Sequence, residues 1–162
     1  MKKIIIAIDS FKGCLTSAEA GKAAEKGIKS INPSCHTSVI PIADGGEGLL
    51  DVLIRATKGK YITLSAHGPL MKMAKTHYGL SGNGRTAIIE MAAISGLPLV
   101  PIEQRNPMLT TTFGTGELIK DALNKGCRNF IIGIGGSATN DAGLGMLQAL
   151  GFRFLDKSGH TL

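Results

Sequence analysis

The feature that most constrains the fold is a glycine-rich turn, GIGGSATNDAG, at residues 133–143. It follows the apolar run 129–134 and precedes an amphipathic stretch at 144–150, an order that predicts a strand, a tight loop and a helix. Glycines allow positive φ and let a ligand approach without interference from Cβ atoms, so several amide N–H groups can converge on one oxyanion. The positive end of the following helix adds to that attraction. The turn is therefore interpreted as an anion site, most simply for a ligand that carries phosphate.

Polar side chains crowd this turn more densely than a plain connection between a strand and a helix requires. They supply two hydroxyls, an amide and a carboxylate, from Ser137, Thr139, Asn140 and Asp141.

Composition excludes several classes of protein. The chain has 162 residues and a formal net charge of +6, but its 18 basic residues are scattered, and it has no Trp, five Phe and two Tyr. A base-stacking platform on a basic groove is therefore not expected, and nucleic acid is not a predicted partner. The three cysteines are far apart and form no C-x-x-C pair, so neither a disulfide framework nor a zinc site is implied. No stretch has the length of a membrane span, and the predicted location is the cytoplasm.

The first third of the chain predicts two successive strand–helix units. The buried strand 4–9 precedes an Ala-rich helix that opens with the capping-box pattern Thr16–Glu19, and a second strand, 38–43, precedes a helix at 49–56. Two such units indicate a doubly wound parallel sheet, whose ligand crevice lies beyond the carboxyl ends of the strands. The segments DSFKG and ADGGEG both fall at such ends.

The pattern changes between residues 61 and 91, where three strand-like runs occur and SGNG at 81–84 predicts a hairpin turn between the last two. This antiparallel character indicates an extension of the sheet or a second lobe that starts near residue 66. Further along, the sequence predicts a glycine-opened helix from Phe113, then the glycine-rich turn with its strand and helix, and a last strand at 152–156. Since no closing helix follows that strand, the chain is interpreted as a fragment.

Two loops carry candidate catalytic groups. Lys12 could hold phosphate oxygens as a mobile point charge, or it could be an ordinary exposed lysine. Asp44 and Glu47 lie among glycines at a helix start, where acids are favourable for dipole reasons alone. They could equally bind Mg²⁺ through waters, or accept the proton of a substrate hydroxyl. Arg85 and Glu90 fall in a predicted hairpin strand, where a cross-strand ion pair is the ordinary explanation.

An NAD-dependent oxidoreductase is the main alternative. GIGGSA fits the pattern G-x-G-x-x-A between a strand and a helix, and Asp156 ends the next predicted strand about twenty residues on, as in a dinucleotide-binding fingerprint. However, the fingerprint normally occupies the first strand–helix unit, and Asp141 would repel a bare diphosphate. A metal-bound nucleotide or a small hydroxy acid fits the turn better.

Five motifs together resemble the glycerate kinase family. They are DSFKG at 9–13, PIADGGEG at 41–48, IIEMAAISGL at 88–97, FGTGELI at 113–119 and GIGGSATNDAG at 133–143. The resemblance covers roughly the N-terminal half of the family's sequence. It implies an α/β fold with a flavodoxin-like (Rossmann-like) parallel lobe and an inserted second α/β lobe of mixed sheet. Residues 1–66 would belong to the first lobe and 67–162 to the inserted lobe, both incomplete in this chain.

The resemblance also implies a function, ATP-dependent phosphorylation of a D-glycerate hydroxyl with Mg²⁺ as cofactor. The product expected is 2-phosphoglycerate. It implies catalytic roles for Lys12, Asp44 and Asp141, with the two aspartates as Mg²⁺ ligands. The implied substrate- and phosphate-binding residues are Ser10, Gly45, Gly46, Glu47, Gly135, Gly136, Ser137, Thr139 and Asn140.

The expected partners are therefore small molecules, without nucleic acid or membrane, and a homo-oligomer is left open. A non-catalytic anion-binding fragment, whose exposed sheet edges pair with another copy, is the remaining alternative.

Overall fold

A computed structural model describes residues 3–161 and contains two sheets. The strands are β1 (Lys3–Ile8), β2 (His36–Pro41), β3 (Lys60–His67), β4 (Met73–Leu80), β5 (Thr86–Glu90) and β6 (Asn129–Gly133). The helices are α1 (Ser17–Ile31), α2 (Leu49–Thr57), α3 (Ala92–Ser95), α4 (Phe113–Asn124) and α5 (Leu144–Ala149), with two short 3₁₀ turns at 97–99 and 102–104. The α/β class and the order of the first two strand–helix units are as the sequence predicted.

The first sheet pairs β1 with β2 in parallel, and α1 packs on it. The predicted capping box is confirmed, because the Thr16 hydroxyl accepts from the Glu19 amide while the Glu19 carboxylate accepts from the Thr16 amide. Ser17 joins the ends of both strands: its hydroxyl donates to the Ile8 carbonyl and accepts from the Ile42 amide at 3.0 Å. Since that amide is taken by Ser17, β2 ends at Pro41, two residues before the predicted end.

The second sheet has the order β3-β4-β5-β6. β3, β4 and β5 are antiparallel and the predicted hairpin turn at 81–84 is confirmed, whereas β6 lies parallel to β5. The core between this sheet and α4 includes Tyr78, which is fully buried and donates its hydroxyl to the Asp121 carboxylate at 2.8 Å. Burial and the neighbouring carboxylate raise the pKa of Tyr78, so the phenol is neutral and a hydrogen-bond donor.

Helix α2 packs across β4 and β5, with Leu50 and Ile54 buried beside Ile88. A Cβ atom at Gly79 would lie 2.5 Å from Ile54 Cδ1 and 2.6 Å from Leu50 Cδ1, so a larger residue here would have to displace the ends of both side chains. β3 pairs with β4 over its whole length from Lys60, so the four-stranded sheet begins before residue 66. The division of the protein into lobes at that position stays a prediction.

The strand predicted at 152–156 is absent, and this prediction was wrong. Instead, 152–161 forms a turn that a single antiparallel bridge between Leu155 and Thr161 closes. The Asp156 carboxylate accepts from the amides of Ser158 and His160 at 2.8 and 2.9 Å. This local bonding of a side chain to its own backbone competes with strand formation.

In residues 3–161, no helix combines the length and apolar character that crossing a membrane requires.

Candidate active site

The loops that follow β1 and β2 meet at one point. Lys12, in the loop after β1, places its Nζ atom 3.2 Å from the Oδ2 atom of Asp44, which follows β2. Both side chains are open to solvent, with 66% and 53% of their surface exposed. Exposed ion pairs contribute little to stability, so this pair is better placed to meet a ligand than to hold the fold together.

Asp44 forms a tight turn with the glycines that follow it. Its Oδ1 atom accepts from the Gly46 amide at 3.0 Å, and that bond, followed by the Lys12 ammonium, holds the pKa of Asp44 below its usual range. The carboxylate is therefore an anion at neutral pH. Gly48, not Asp44, is the residue that caps α2, so Asp44 does not serve the helix start in the manner of an ordinary cap.

The loop 44–48 packs directly on the glycine-rich turn after β6. The Gly135 amide donates to the Gly45 carbonyl at 3.3 Å. A Cβ atom at Gly133 would lie 2.5 Å from that carbonyl oxygen, and one at Gly135 would lie 2.7 Å from the Cα atom of Gly46. These glycines are therefore needed because two main chains touch, a reason that differs from the anion-binding role expected for them.

The amides of Gly136 and Ser137 remain available to a ligand. Among the described residues, the amides of Gly136 and Ser137 donate no hydrogen bond, and Gly136 has a φ of +75°. The amide of Gly135 is occupied by Gly45, so its predicted place among the anion-binding amides is not supported by this geometry. The Ser137 hydroxyl lies 2.8 Å from that of Thr139 and accepts from the Thr139 amide.

Asp141 connects the starts of two helices. Its Oδ2 atom accepts from the Thr112 amide and hydroxyl, both at 2.8 Å, and from the Gly145 amide at 3.1 Å, while Oδ1 accepts from the Gly143 amide at 3.1 Å. Burial acts to raise the pKa of Asp141, but the hydrogen bonds from Thr112, Gly145 and Gly143 outweigh it and the pKa is lowered. Asp141 is thus strongly engaged by the protein itself, and it forms no hydrogen bond or ion pair with Lys12 or Asp44 in residues 3–161.

Asn140 is exposed, and its amide donates to the Pro107 carbonyl at 3.3 Å. The three residues predicted to be catalytic are thus divided: Lys12 pairs with Asp44 in front of the loop that packs on the glycines of the turn, while Asp141 bonds to the starts of α4 and α5.

Glu90, at the end of β5, is a site residue that the sequence interpretation missed. Its Oε1 atom accepts from the Leu50 amide at 2.8 Å across 40 residues of sequence, and it is the register partner of Gly133 in β6. Burial raises its pKa, against the lowering effect of the Leu50 amide. Neither Glu90 nor Arg85 forms an ion pair among the described residues. The signal that could have identified Glu90 is its position, because it is an acid at the carboxyl end of β5, which is parallel to β6, and ligands bind at such ends.

A cavity of about 390 Å³ lies beside these loops, between α1, α2 and strands β3 to β5. Two predicted site residues, Ser10 and Glu47, line it. Its other polar wall residues include Asp51, Arg55, Tyr61, His77 and Glu90.

The dinucleotide-binding alternative loses the acidic residue on which it depended. Asp156 does not end a strand, and its carboxylate accepts from the amides of its own turn. The close packing of Gly135 on Gly46 also fills the space over the second glycine of the supposed fingerprint, where a pyrophosphate would have to approach.

Comparison with known proteins gives a consistent result. The model of the glycerate kinase family matches residues 4–162. Over 99% of the chain, 56% of residues are identical to a glycerate kinase of Bacillus subtilis, and 51% are identical to a glycerate 2-kinase of Escherichia coli, with 42% of each relative covered. A crystal structure of a protein assigned as glycerate kinase 2 from Salmonella typhimurium LT2 superimposes with a TM-score of 0.83 at 49% identity, covering 99% of this chain and 43% of that one.

The chain thus spans about 42% of the length of the curated relatives it matches. The motifs that carry the resemblance lie in the matched region, and two of them, the loop 44–48 and the turn 133–136, are packed on each other. The chain belongs to the glycerate kinase family.

Proposed function

We propose that this chain supplies the phosphate-binding loops of a kinase that transfers the γ-phosphoryl group of ATP to a hydroxyl of D-glycerate. The observation that carries the proposal is the meeting of Lys12 and Asp44 beside the packed glycine loops. A paired cation and anion, with free amides on the adjoining glycine-rich turn, are the groups that phosphoryl transfer needs, since this chemistry depends mainly on positioning and charge neutralisation. The name of the Escherichia coli relative, glycerate 2-kinase, makes 2-phosphoglycerate the product we expect.

Each residue of the proposed phosphate site has a role that follows from its chemistry. The Lys12 ammonium neutralises phosphate oxygens as a point charge, and the unoccupied amides of Gly136 and Ser137 hydrogen-bond to them. Thr139 fixes the Ser137 hydroxyl. Roles for Gly45, Gly46 and Asn140 in contacting substrate stay predictions.

The residues around Asp44 fit a magnesium ion bound together with ATP. Asp44 is ionised and exposed, and Mg²⁺ in kinases is usually held by one or two carboxylates and by the substrate phosphates. In residues 3–161 no three His, Cys, Asp or Glu side chains are grouped to hold a metal by themselves, so the phosphates would have to complete the site. When bound, the ion would neutralise charge on the β- and γ-phosphates. Asp141 as a second ligand stays a prediction; in our proposal it chiefly positions α4 and α5.

The reaction is an in-line displacement. The hydroxyl oxygen of glycerate forms a bond to the γ-phosphorus as the bond from that phosphorus to the β,γ-bridging oxygen breaks, and ADP leaves with the electron pair. The hydroxyl proton passes to a carboxylate of the loop 44–48, for which Glu47 is available because it accepts no hydrogen bond among the described residues. A kinase of this kind needs the cellular pool of ATP, so we place the protein in the cytoplasm. Its expected partners are its small-molecule substrates.

A chimera tests the proposal. The matching segment of the Bacillus subtilis relative is replaced by this chain, and formation of phosphoglycerate from ATP, Mg²⁺ and D-glycerate is followed, with ³¹P NMR to identify the product. We expect 2-phosphoglycerate, and loss of turnover by orders of magnitude in Lys12→Ala. A folded chimera that binds ATP but forms no phosphoglycerate would reject the kinase assignment in favour of a non-catalytic anion-binding unit.

A further inference from the structure

We propose that the 390 Å³ cavity binds a small hydroxy acid, whose carboxylate is held by Arg55, the Ser10 hydroxyl and the first amides of α1. This inference rests on the proposed function, since the bound acid would be the acceptor of the phosphoryl group. The volume lies within the range of small-molecule sites, roughly 300–1,000 Å³.

Ser10 gives the first indication of a ligand. Its Oγ atom is buried and has no hydrogen-bond partner among the described residues, and Ser10 lines the cavity. Buried hydroxyls in native proteins are nearly always paired, because an unpaired one costs free energy. A carboxylate oxygen in the cavity would supply the missing partner.

The start of α1 adds two further donors on the same wall. Thr16 caps this 15-residue helix by accepting from the Glu19 amide. The amides of Ser17 and Ala18, which also line the cavity, donate no hydrogen bond among the described residues. Free amides at the positive end of a long helix attract anions.

Arg55 faces this wall from α2. Its side chain takes part in no ion pair or hydrogen bond within residues 3–161, which leaves the guanidinium free to bind a carboxylate through two parallel N–H groups. Three kinds of donor, namely a hydroxyl, helix amides and a guanidinium, therefore surround one space.

The acids of the cavity favour a ligand with hydroxyl groups over a simple anion. Asp51 accepts the Tyr61 hydroxyl at 2.6 Å, a bond that raises the pKa of Tyr61 to about 12, and Glu90 accepts from the Leu50 amide. Glu47 accepts no hydrogen bond among the described residues. Carboxylates accept hydrogen bonds from ligand hydroxyls and repel anions, a phosphate with its charge of about −2 more strongly than a carboxylate. With Arg55 on the wall to pair one negative charge, the cavity suits a molecule that carries one carboxylate and neighbouring hydroxyls.

The cavity adjoins the phosphate-binding loops. Ser10 lies two residues before Lys12, and Glu47 lies in the same loop as Asp44. An acid bound here would present its hydroxyls toward the same end of the sheets at which the γ-phosphate is expected.

Binding to the full 162-residue chain tests the inference by calorimetry. D-glycerate is compared with glycerol, which has the same carbon skeleton and no carboxylate, and Mg²⁺–ATP is titrated separately. The variants are Arg55→Ala, Arg55→Lys and, as the matched control, Arg85→Ala, which removes an exposed arginine that does not line the cavity. Circular dichroism establishes that each variant is folded.

We expect Arg55→Ala to weaken D-glycerate at least about tenfold, since hydrogen bonds between charged groups are strong. Arg55→Lys should recover part of that loss. Glycerol binding, Mg²⁺–ATP binding and the Arg85→Ala variant should be unchanged. Absence of D-glycerate binding to the chain, equal affinities for glycerol and glycerate, or equal losses in both arginine variants would overturn the inference.

The two proposals can fail separately. A loss of Mg²⁺–ATP affinity in Arg55→Ala with D-glycerate binding intact would make the cavity a nucleotide site, which rejects this inference and leaves the kinase proposal in place. D-glycerate binding that depends on Arg55, in a chimera that forms no phosphoglycerate, would support the cavity and reject the kinase proposal.

Discussion

Replacement of Asp141 by asparagine separates a structural role from a catalytic one. The Oδ2 atom of Asp141 accepts three close hydrogen bonds, two from Thr112 and one from Gly145, and Oδ1 accepts one from Gly143. Asparagine has a single acceptor oxygen. If that oxygen takes the Oδ2 position, the NH₂ group of the asparagine faces the Gly143 amide, and two donors meet without an acceptor. The three remaining hydrogen bonds then go to a neutral oxygen and not to a charged one.

The cost follows from those bonds. A hydrogen bond to a charged group contributes roughly 1.5–3 kcal/mol and a neutral one roughly 0.5–1.5 kcal/mol, so each of three weakened bonds loses about 1 kcal/mol. One unpaired amide costs about 1–3 kcal/mol more, which gives about 4–6 kcal/mol together. We take about 3 kcal/mol, below that range, because the side chain is only half-buried and solvent screens its interactions. For a chain of this size, that loss lowers Tm by about 6–12 °C.

The pH dependence provides a second readout. The pKa of Asp141 is lowered in the folded protein, so its contribution to the free energy of unfolding is present above the unfolded pKa of about 3.9 and disappears as the pH falls through the folded pKa. The difference in Tm between wild type and Asp141→Asn should therefore be full at pH 7 and shrink in acid.

Thermal unfolding followed by circular dichroism, at pH 7 and over a series down to pH 3, measures both effects. Asn140→Ala is the matched control, since Asn140 is exposed and only its backbone amide forms a hydrogen bond. An unchanged Tm in Asp141→Asn at pH 7, together with lost turnover in the chimera, would refute the structural role and restore Asp141 as a metal ligand.

Substitutions at three further positions, with one control in α1, test the site. Lys12→Ala should abolish turnover in the chimera while Tm stays the same, because the ion pair with Asp44 is exposed; a lower Tm would contradict this. Gly135→Ala places a Cβ atom 2.7 Å from the facing main chain and should lower both Tm and ATP affinity. Gly27→Ala, in an open position of α1, should raise Tm by the equivalent of up to about 1 kcal/mol; equal effects of the two substitutions would dismiss the packing argument. Glu90→Ala leaves the Leu50 amide without an acceptor and should cost about 1–3 kcal/mol in urea unfolding, whereas Glu90→Gln keeps an acceptor without the partly buried charge and should cost less; the reverse order would show that the charge itself is required.

Local sequence signals predicted the elements near the site well, because each depended on neighbouring residues. The capping box of Thr16 and Glu19 fixed the start of α1, and the glycine-rich hairpin at 81–84 fixed the turn before β5. The strand predicted at 152–156 was wrong for an equally local reason. The Asp156 carboxylate accepts hydrogen bonds from the amides of its own turn, and this local bonding competes with strand pairing.

Long-range contacts set the limit of prediction at the site. The placement of the loops that carry Lys12 and Asp44 at the same end of the sheet was expected, since both follow parallel strands, whereas their ion pair was not predicted. The contact of Glu90 with the Leu50 amide spans 40 residues of sequence, so no local sequence pattern predicts it. Asp141 likewise accepts hydrogen bonds from Thr112 at the start of α4, far away in sequence. Its role in joining two helices could therefore be recognised only from the structure.

The contact between loop 44–48 and the turn 133–136 restricts how this protein can vary. Because a Cβ atom at Gly133 or Gly135 would meet main-chain atoms of Gly45 or Gly46, no substitution of a neighbouring side chain can make room for a methyl group at 133 or 135. Substitution of the glycine at 133 or 135 forces the two loops apart. We therefore expect random libraries selected for growth to retain both glycines even where the surrounding polar residues are substituted.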